Sequence, residues 1–537
     1  MEFNSNVQID IQERLNLAID KIKKQYLEND KNLPWLIGYS GGKDSTVTAQ
    51  LVFQALIELK KERKQLKRKI TIFSSDTMIE NPLIKEIIEE NIKLINIKAN
   101  KLGLPIEALI LKPTISKTFW VNVIGRGYPT PNTMFRWCTD RLKIDPANNF
   151  IHEYIDKNGE VVMVLGVREG ESNTRDRVLK THEIEGEVLM KHTTLTNAYI
   201  FAPIKHLSTV DVFTYLAGYE SPWESSNKKL YMFYEESGGG DCQIFLTEQE
   251  KTSSNSCGNS RMGCWVCTVV SKDKSLSGFI QTGFYDHLIP LLNFRNWLVS
   301  IRDDYKYRCH YRNNGSIYKK VIKMTEKDNE KQLIIPKKGN RGKIVINILD
   351  DGKLMDQDHK EYLVIDDDKL NDYMKKNRLD YNSPLFEYMI IRDHITGEYC
   401  RLGSGPYTDE AKKLIIKKLL EAEAQFNSNL NEKIQLITDA EIVEIKKLWK
   451  ASGLNVSFID ELLINNGRKV ISYQKNSFEI VSEKYEKPLK NHLEKSDLDY
   501  NIVQKLLHLE KEYLSKEDRK EIQNEISKIF GSDKMNI

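Results

Sequence analysis

Long apolar runs are absent from this 537-residue chain. No stretch approaches the roughly 18 consecutive apolar residues that a membrane-spanning helix requires. The polar Met1 to Lys23 segment also lacks the apolar core of a secretory signal. Cysteine is scarce, with seven residues, odd in number and unevenly spaced, which argues against a secreted disulfide framework. A reducing, cytoplasmic setting without a membrane partner is therefore expected, where cysteines serve as metal ligands or reactive thiols more often than as bridges. An excess of one charge is lacking too, since 80 Lys+Arg against 77 Asp+Glu leaves +3. That balance neither demands nor forbids nucleic acid, because a basic face can hide in a neutral total. Internal repeats and low-complexity tracts are missing. What is present is an ordinary globular composition, 40% hydrophobic, in a chain long enough for two or three domains.

The first 215 residues alternate helix and strand patterns. Residues 9–28 have helical spacing, and Leu33 to Tyr39 reads as a buried strand. From Ser45, an apolar face of Val47, Leu51, Val52, Ala55, Leu56 and Leu59 predicts a helix that runs out in the basic stretch Lys60 to Lys69. Those lysines also suit a solvated C-terminal helix end without any partner. Ile70 to Ser74 is a second strand. Asn81-Pro82 opens a helix, Gly103 closes it, and Ile106 to Leu111 is a third strand. Val161 to Val167 and Tyr199 to Ile204 add two more. The expected fold is α/β, a parallel-sheet, Rossmann-like domain over 1–215. A Cys-rich region, 216–320, follows, and then a mixed, largely helical region over 321–537. Within the last, Asp350-Asp351-Gly352 and Thr396-Gly397 mark hairpins, and Thr408 caps a helix running to about Gln425.

Ser40-Gly41-Gly42-Lys43-Asp44-Ser45 stands at the first strand-to-helix turn. Two glycines let the backbone approach an anion, and a helix start offers free N–H groups with the positive dipole end. Lys43 adds a full charge, and Ser40 and Ser45 add hydroxyls. It is not a Walker A loop, because Ile37 stands where that motif has glycine and Asp44 follows the lysine. The hexapeptide resembles the SGGxDS loop of PP-loop ATP pyrophosphatases, which grips the β,γ-pyrophosphate of ATP and leaves the α-phosphate open to attack. By that resemblance Lys43, Asp44 and Arg168 are the catalytic candidates, and Asp76 and Thr77 face the nucleoside. Gly166-Val167-Arg168-Glu169-Gly170-Glu171-Ser172 with Arg175 is similar to an anion-binding segment of the phosphoadenosine phosphosulfate (PAPS) reductase branch. A lone arginine at either place also fits a surface salt bridge.

Cys257, Cys264 and Cys267 form a C-x6-C-x2-C arrangement. The x2 pair lets two thiolates reach one metal centre, and three soft ligands call for a fourth. Structural zinc and an iron–sulfur cluster both fit such spacing. Cys242, Cys309 and Cys400 have no partner at metal spacing and read as inert thiols.

Together the SGGKDS loop, Arg136-Trp137-Cys138-Thr139-Asp140 and the Cys257 to Val270 run resemble the DndC family, the PP-loop iron–sulfur component of bacterial DNA phosphorothioation. The resemblance covers residues 35 to about 425 in blocks. It implies ATP, Mg²⁺ and a [4Fe–4S] cluster as cofactors, with Cys138 completing the ligand set of Cys257, Cys264 and Cys267. It implies DNA as substrate, a cysteine desulfurase as sulfur donor, and DndD and DndE as further subunits. A tRNA thiolase, a PAPS or adenosine phosphosulfate reductase, and an ATP-sensing DNA-binding subunit are the alternatives. A reductase needs a catalytic cysteine in its C-terminal tail, and none follows Cys400. Residues 302–320 interleave Arg302, Lys306, Arg308, Arg312, Lys319 and Lys320 with four tyrosines, a strip suited to DNA or equally to an ordinary solvated segment.

Overall fold

The computed structural model describes residues 5–28, 32–169, 189–191, 195, 197–236, 263–309, 318–327, 330–336, 342–349, 351–377, 389–471 and isolated positions beyond. Residues Met1–Ile471 make one compact unit and Ser472–Ile537 a second.

The first unit begins with α1 (Ser5–Leu27), β1 (Trp35–Gly38), α2 (Lys43–Lys61), β2 (Ile70–Ser75), α3 (Pro82–Leu102), β3 (Ile106–Leu111), α4 (Asp145–Asn158), β4 (Val161–Val164), β5 (Met190–Lys191) and β6 (Ala198–Phe201). Strand order is β3-β2-β1-β4-β6-β5. The first five strands are parallel, and the short β5 runs antiparallel at the edge. Both faces are covered, as the continuous apolar strands require. Trp35, Ile37, Ile70, Ile72, Val162 and Val164 point into the larger core, while Leu36, Phe73, Val161 and Met163 face the side where Ile151 of α4 packs. Strand order reverses between the parallel neighbours β1 and β4, so a crevice opens where the loops after these two strands diverge. The expected ends of α3 hold: Asn81 Oδ1 accepts from Leu83 N–H, and Gly103 takes a left-handed φ of 55°.

Next come α5 (Thr209–Gly218), α6 (Asn227–Glu236), α7 (Lys274–Gln281) and α8 (Ile289–Arg302). They extend the larger core through Leu216, Phe233, Phe279 and Leu298.

The region after 318 is mixed, as expected, with more strand than the sequence pattern showed. Among the described residues it holds eight strands: β7 (Lys319–Val321), β8 (Lys323–Lys327), β9 (Glu330–Pro336), β10 (Lys343–Ile348), β11 (Leu354–Asp356), β12 (Glu361–Asp366), β13 (Met389–Arg392) and β14 (Tyr399–Leu402), with α9 (Leu370–Lys376) between β12 and β13. Their order is β7-β14-β13-β12-β11-β10-β9-β8. Only Ile322 separates the two terminal strands: Val321 pairs with Cys400 and Lys323 with Ile334. The continuous segment 319–327 thereby closes the sheet into a ring around Ile322, Leu333, Ile346, Leu354 and Ile390. Both expected hairpins are present, β10–β11 and β13–β14, and Gly352 and Gly397 take positive φ in their turns.

Three helices finish the unit: α10 (Asp409–Phe426), capped by Thr408 as expected, α11 (Asp439–Ala451) and α12 (Ser457–Asn465). They return to the segment before α4. Trp120 Nε1 donates to Leu436 O and Trp449 Nε1 to Ile124 O, each at 2.8 Å. Among the described residues, no helix is long and apolar enough to cross a membrane.

Candidate nucleotide and cysteine site

The Ser40–Ser45 loop lies at the β1–β4 crevice. Gly41 has φ 70°, and a Cβ there would meet Ile88 Cγ1 at 2.6 Å, so both conformation and space select glycine. Gly42 caps α2 without a side-chain bond, and Lys43 N–H, the first amide of the helix, donates to the Tyr234 hydroxyl at 3.0 Å. Ser45 Oγ ties the turn together, accepting from Ser40 N–H at 3.2 Å and donating to Gly42 O at 3.0 Å. Asp44 joins the two cations expected to act with it. Its carboxylate lies 2.9 Å from Lys43 Nζ and 2.6 Å from Arg168 Nε. Arg168 is buried and also donates to Thr209 Oγ1 at 3.1 Å. Gly166 lets the β4 loop pass this turn, because a Cβ there would lie 2.8 Å from Asp44 O.

A cleft of about 560 Å³ runs from Ser40, Gly42, Lys43, Asp44 and Ser45 past Phe73, Ser75 and Gly166 to Glu80, Lys143 and Tyr234. Asp76 and Thr77 are buried and do not line it. Asp76 accepts from Met78 N–H at 2.7 Å, while Thr77 Oγ1 donates to Glu80 at 3.0 Å and lies 3.5 Å from Cys264 Sγ.

The cysteines meet the far end of this cleft. Backbone pairing joins Glu80 to Cys264, and Trp265 N–H donates to Ile79 O at 3.1 Å. Cys267 N–H donates to Cys264 O at 3.0 Å, closing the x2 turn over buried Trp265 and Val266. Burial pushes the Cys264 thiol well up, the Glu80 carboxylate adds to this, and the Lys143 ammonium opposes it. Burial raises Cys138 as well, with Cys267 the next contributor, so these thiols share one electrostatic corner. Lys143 is held above its usual range, chiefly by Glu80 at 3.3 Å and then by Cys264. Among the described residues the three thiols do not gather within 4.8 Å as a set; the group that does is Asp367, Asp368 and His394. The Lys319 ammonium already lies 2.6 Å from Asp367 there. Cys257, Cys242, Arg175 and the 170–172 stretch lie outside the described residues.

Several contributors carry no motif. Arg295, fully buried, donates to Cys267 O at 2.8 Å and Ser271 O at 2.9 Å and so fixes the cysteine turn. Arg302 reaches Thr268 O at 2.5 Å. Arg308 is buried on Gly405 O and Ser404 O. These last two belong to the segment suited to DNA or equally to an ordinary solvated stretch; here they hold carbonyl oxygens, because a guanidinium's five donors satisfy backbone acceptors that would otherwise be buried unpaired. Arg312 lies outside the described residues.

A phosphate cradle at the switch point of a parallel sheet defines a nucleotide-utilizing class of enzyme, and residues 34–270 match the phosphoadenosine phosphosulfate reductase domain. This segment is similar to that domain, and the match spans less than half of the chain. Over 214 residues the chain is 28% identical to the uncharacterized protein MJ0066 of Methanocaldococcus jannaschii, covering 40% of this chain and 36% of that protein, about a third of its length. The structure of Candida glabrata FMN adenylyltransferase with FAD and inorganic pyrophosphate is similar at 14% identity and a TM-score of 0.25, covering 39% of this chain and 57% of that one. The phosphate complex of Candida auris PAPS reductase is similar at 14% identity and a TM-score of 0.24, covering 40% and 90%.

Proposed function

We propose that this protein cleaves ATP to AMP and pyrophosphate in order to replace a non-bridging oxygen of a DNA backbone phosphate by sulfur. The observation that supports this reading is the single cleft running from the Ser40–Ser45 loop to Lys143 and Glu80, beside Cys264.

A phosphate oxygen is a very poor leaving group and must be activated first. Attack of the DNA phosphate oxygen on the α-phosphorus of ATP forms one P–O bond, breaks another and releases pyrophosphate. The loop amides and Lys43 stabilise the charge that develops on the departing group. Asp44 is the carboxylate that fits a Mg²⁺ ion arriving with ATP, a hard cation that takes oxygen ligands. Arg168 holds that carboxylate in place. Sulfide then attacks the adenylated DNA phosphorus and AMP departs.

Sulfur delivered as persulfide by a cysteine desulfurase is at the zero oxidation level, so release as sulfide needs two electrons. Cys138, Cys264 and Cys267, with Cys257, would hold a [4Fe–4S] cluster, which would supply electrons or carry sulfide. DndD-like and DndE-like subunits would present the DNA. A reductase role is disfavoured by Cys400, the last cysteine of the chain, which is buried against Ile391 and Leu402.

The test is mass spectrometry of nucleotides from host DNA with and without the protein, alongside radiolabelled ATP incubated with DNA and the sulfur-donating components. A sulfur-for-oxygen mass change together with AMP is expected. Unmodified DNA with ADP as the only nucleotide product overturns the proposal.

A further inference from the structure

One amide of the phosphate loop is already occupied. The Tyr234 hydroxyl oxygen accepts from Lys43 N–H at 3.0 Å. Its ring lies 5.7 Å from Lys43 Nζ and stands edge-on to Phe213 at 5.6 Å. A Cβ built on Gly42 would sit 3.3 Å from the same hydroxyl, so the phenol tip rests on the loop backbone where it faces the cleft. Helix α6, which carries Tyr234, is anchored to α2 at its start: Asn227 and Gln50 exchange buried amide hydrogen bonds of 2.6 and 2.9 Å. The hydroxyl is therefore delivered by a braced element.

A single N–H directs one strong, near-linear bond at one acceptor. A phosphate oxygen seated on Lys43 N–H and the Tyr234 oxygen compete for the same donor. We propose that Tyr234 is a competing occupant of the phosphate cradle, displaced by the phosphate tail of the nucleotide, and that it sets how tightly that tail is held. The inference rests on reading Ser40–Ser45 as a phosphate site and adds a residue that the motif does not contain.

Inorganic pyrophosphate titrated calorimetrically into the full-length protein tests it. Tyr234→Phe keeps the ring, its Phe213 contact and its place beside Lys43, and removes only the competing oxygen. Pyrophosphate is expected to bind this variant roughly three- to tenfold tighter than wild type, the span of one ordinary hydrogen bond. Equal affinity overturns the proposal, and weaker affinity overturns it by making the hydroxyl a phosphate ligand. Lys43→Ala separates this from the underlying reading. If wild type binds pyrophosphate and Lys43→Ala does not, a failure of Tyr234→Phe to tighten binding removes the competition alone. If neither wild type nor Tyr234→Phe binds, or if Lys43→Ala binds as wild type does, the phosphate site falls and the competition with it. Amide hydrogen exchange across Asn227–Glu236 gives a second readout. It should rise when pyrophosphate is added to wild type, and unchanged exchange also overturns displacement.

Discussion

Gly166→Ala inserts one methyl group where the β4 loop crosses the start of α2. The added carbon would lie 2.8 Å from Asp44 O, 2.9 Å from Asp44 C and 2.9 Å from Thr48 Oγ1. Ordinary contact begins near 3.5 Å, so either the first turn of α2 or the Gly166 loop must shift by more than half an ångström. The obstacles are backbone atoms and a hydroxyl that itself bonds Asp44 O at 2.9 Å, so no flexible side chain can swing away. Overpacking of this kind costs about 1–3 kcal/mol. Either relief also separates Asp44 from Arg168, two residues beyond the substitution, and misplacement of about 1 Å costs on the order of 100-fold in rate. Urea unfolding followed by circular dichroism should show the stability loss, and pyrophosphate release from ATP should fall at least tenfold. Gly218→Ala, where a Cβ meets nothing within 4 Å, is the matched control and should change neither. Wild-type stability and turnover in Gly166→Ala would show that the approach of these two loops is not what builds the site.

Asp44→Asn leaves buried Arg168 and Lys43 without their shared anion. A loss of about 3 kcal/mol in stability and of pyrophosphate release is expected, and retained turnover would remove Asp44 from the mechanism. Anaerobically purified protein should be brown, with iron and acid-labile sulfide near four per chain. Cys138→Ser, Cys264→Ser or Cys267→Ser should each bleach it while Cys400→Ser keeps the colour; colourless wild type holding one zinc would defeat the cluster. In the ring of strands, Lys319 holds Asp367 well below the usual carboxylate range and Asp393 down to about 2. Depressed carboxylates stabilise the fold above about pH 4 and lose that contribution as pH falls through their folded values. The urea-midpoint gap between wild type and Lys319→Met should therefore narrow progressively as pH falls below about 4, and a gap constant with pH would refute the pairing. His394, raised by Asp367, works with the opposite sign and loses its contribution as pH rises through its raised folded value.

How much could be read from the residues depended on how local the cause was. The strand–loop–helix around Gly41, the Asn81 and Thr408 caps and the Gly397 turn are fixed by neighbouring residues, and each was legible. The eight-stranded ring was not. Lys320, Val321, Lys323 and Met324 are all exposed around the single inward Ile322, which erases the two-residue alternation that marks a strand. The pairing of Val321 with Cys400 joins residues nearly eighty positions apart in sequence. At the site, the loop and the cysteines had motifs, whereas Lys143, Tyr234 and Arg295 had none. Each acts through a partner that only folding supplies: Glu80, the Lys43 amide and the Cys267 carbonyl. Basic residues misled for a related reason. The sequence shows the charge on Arg302 and Arg308 but not the carbonyl oxygens they turn toward.

The return of the last three helices carries a consequence for deletion. The Trp120 and Trp449 indoles form reciprocal latches, each gripping a carbonyl on the other's segment, and Leu448 fills the space beside Gly125. The Phe119 to Gly125 segment, whose Phe119 ring stacks on Trp137 beside Cys138, thus has part of its wall supplied by residues some three hundred positions downstream. Trimming the chain after Gln425 would strip that wall and expose Trp120, so the segment before α4 would lose its packing although every motif residue was still present.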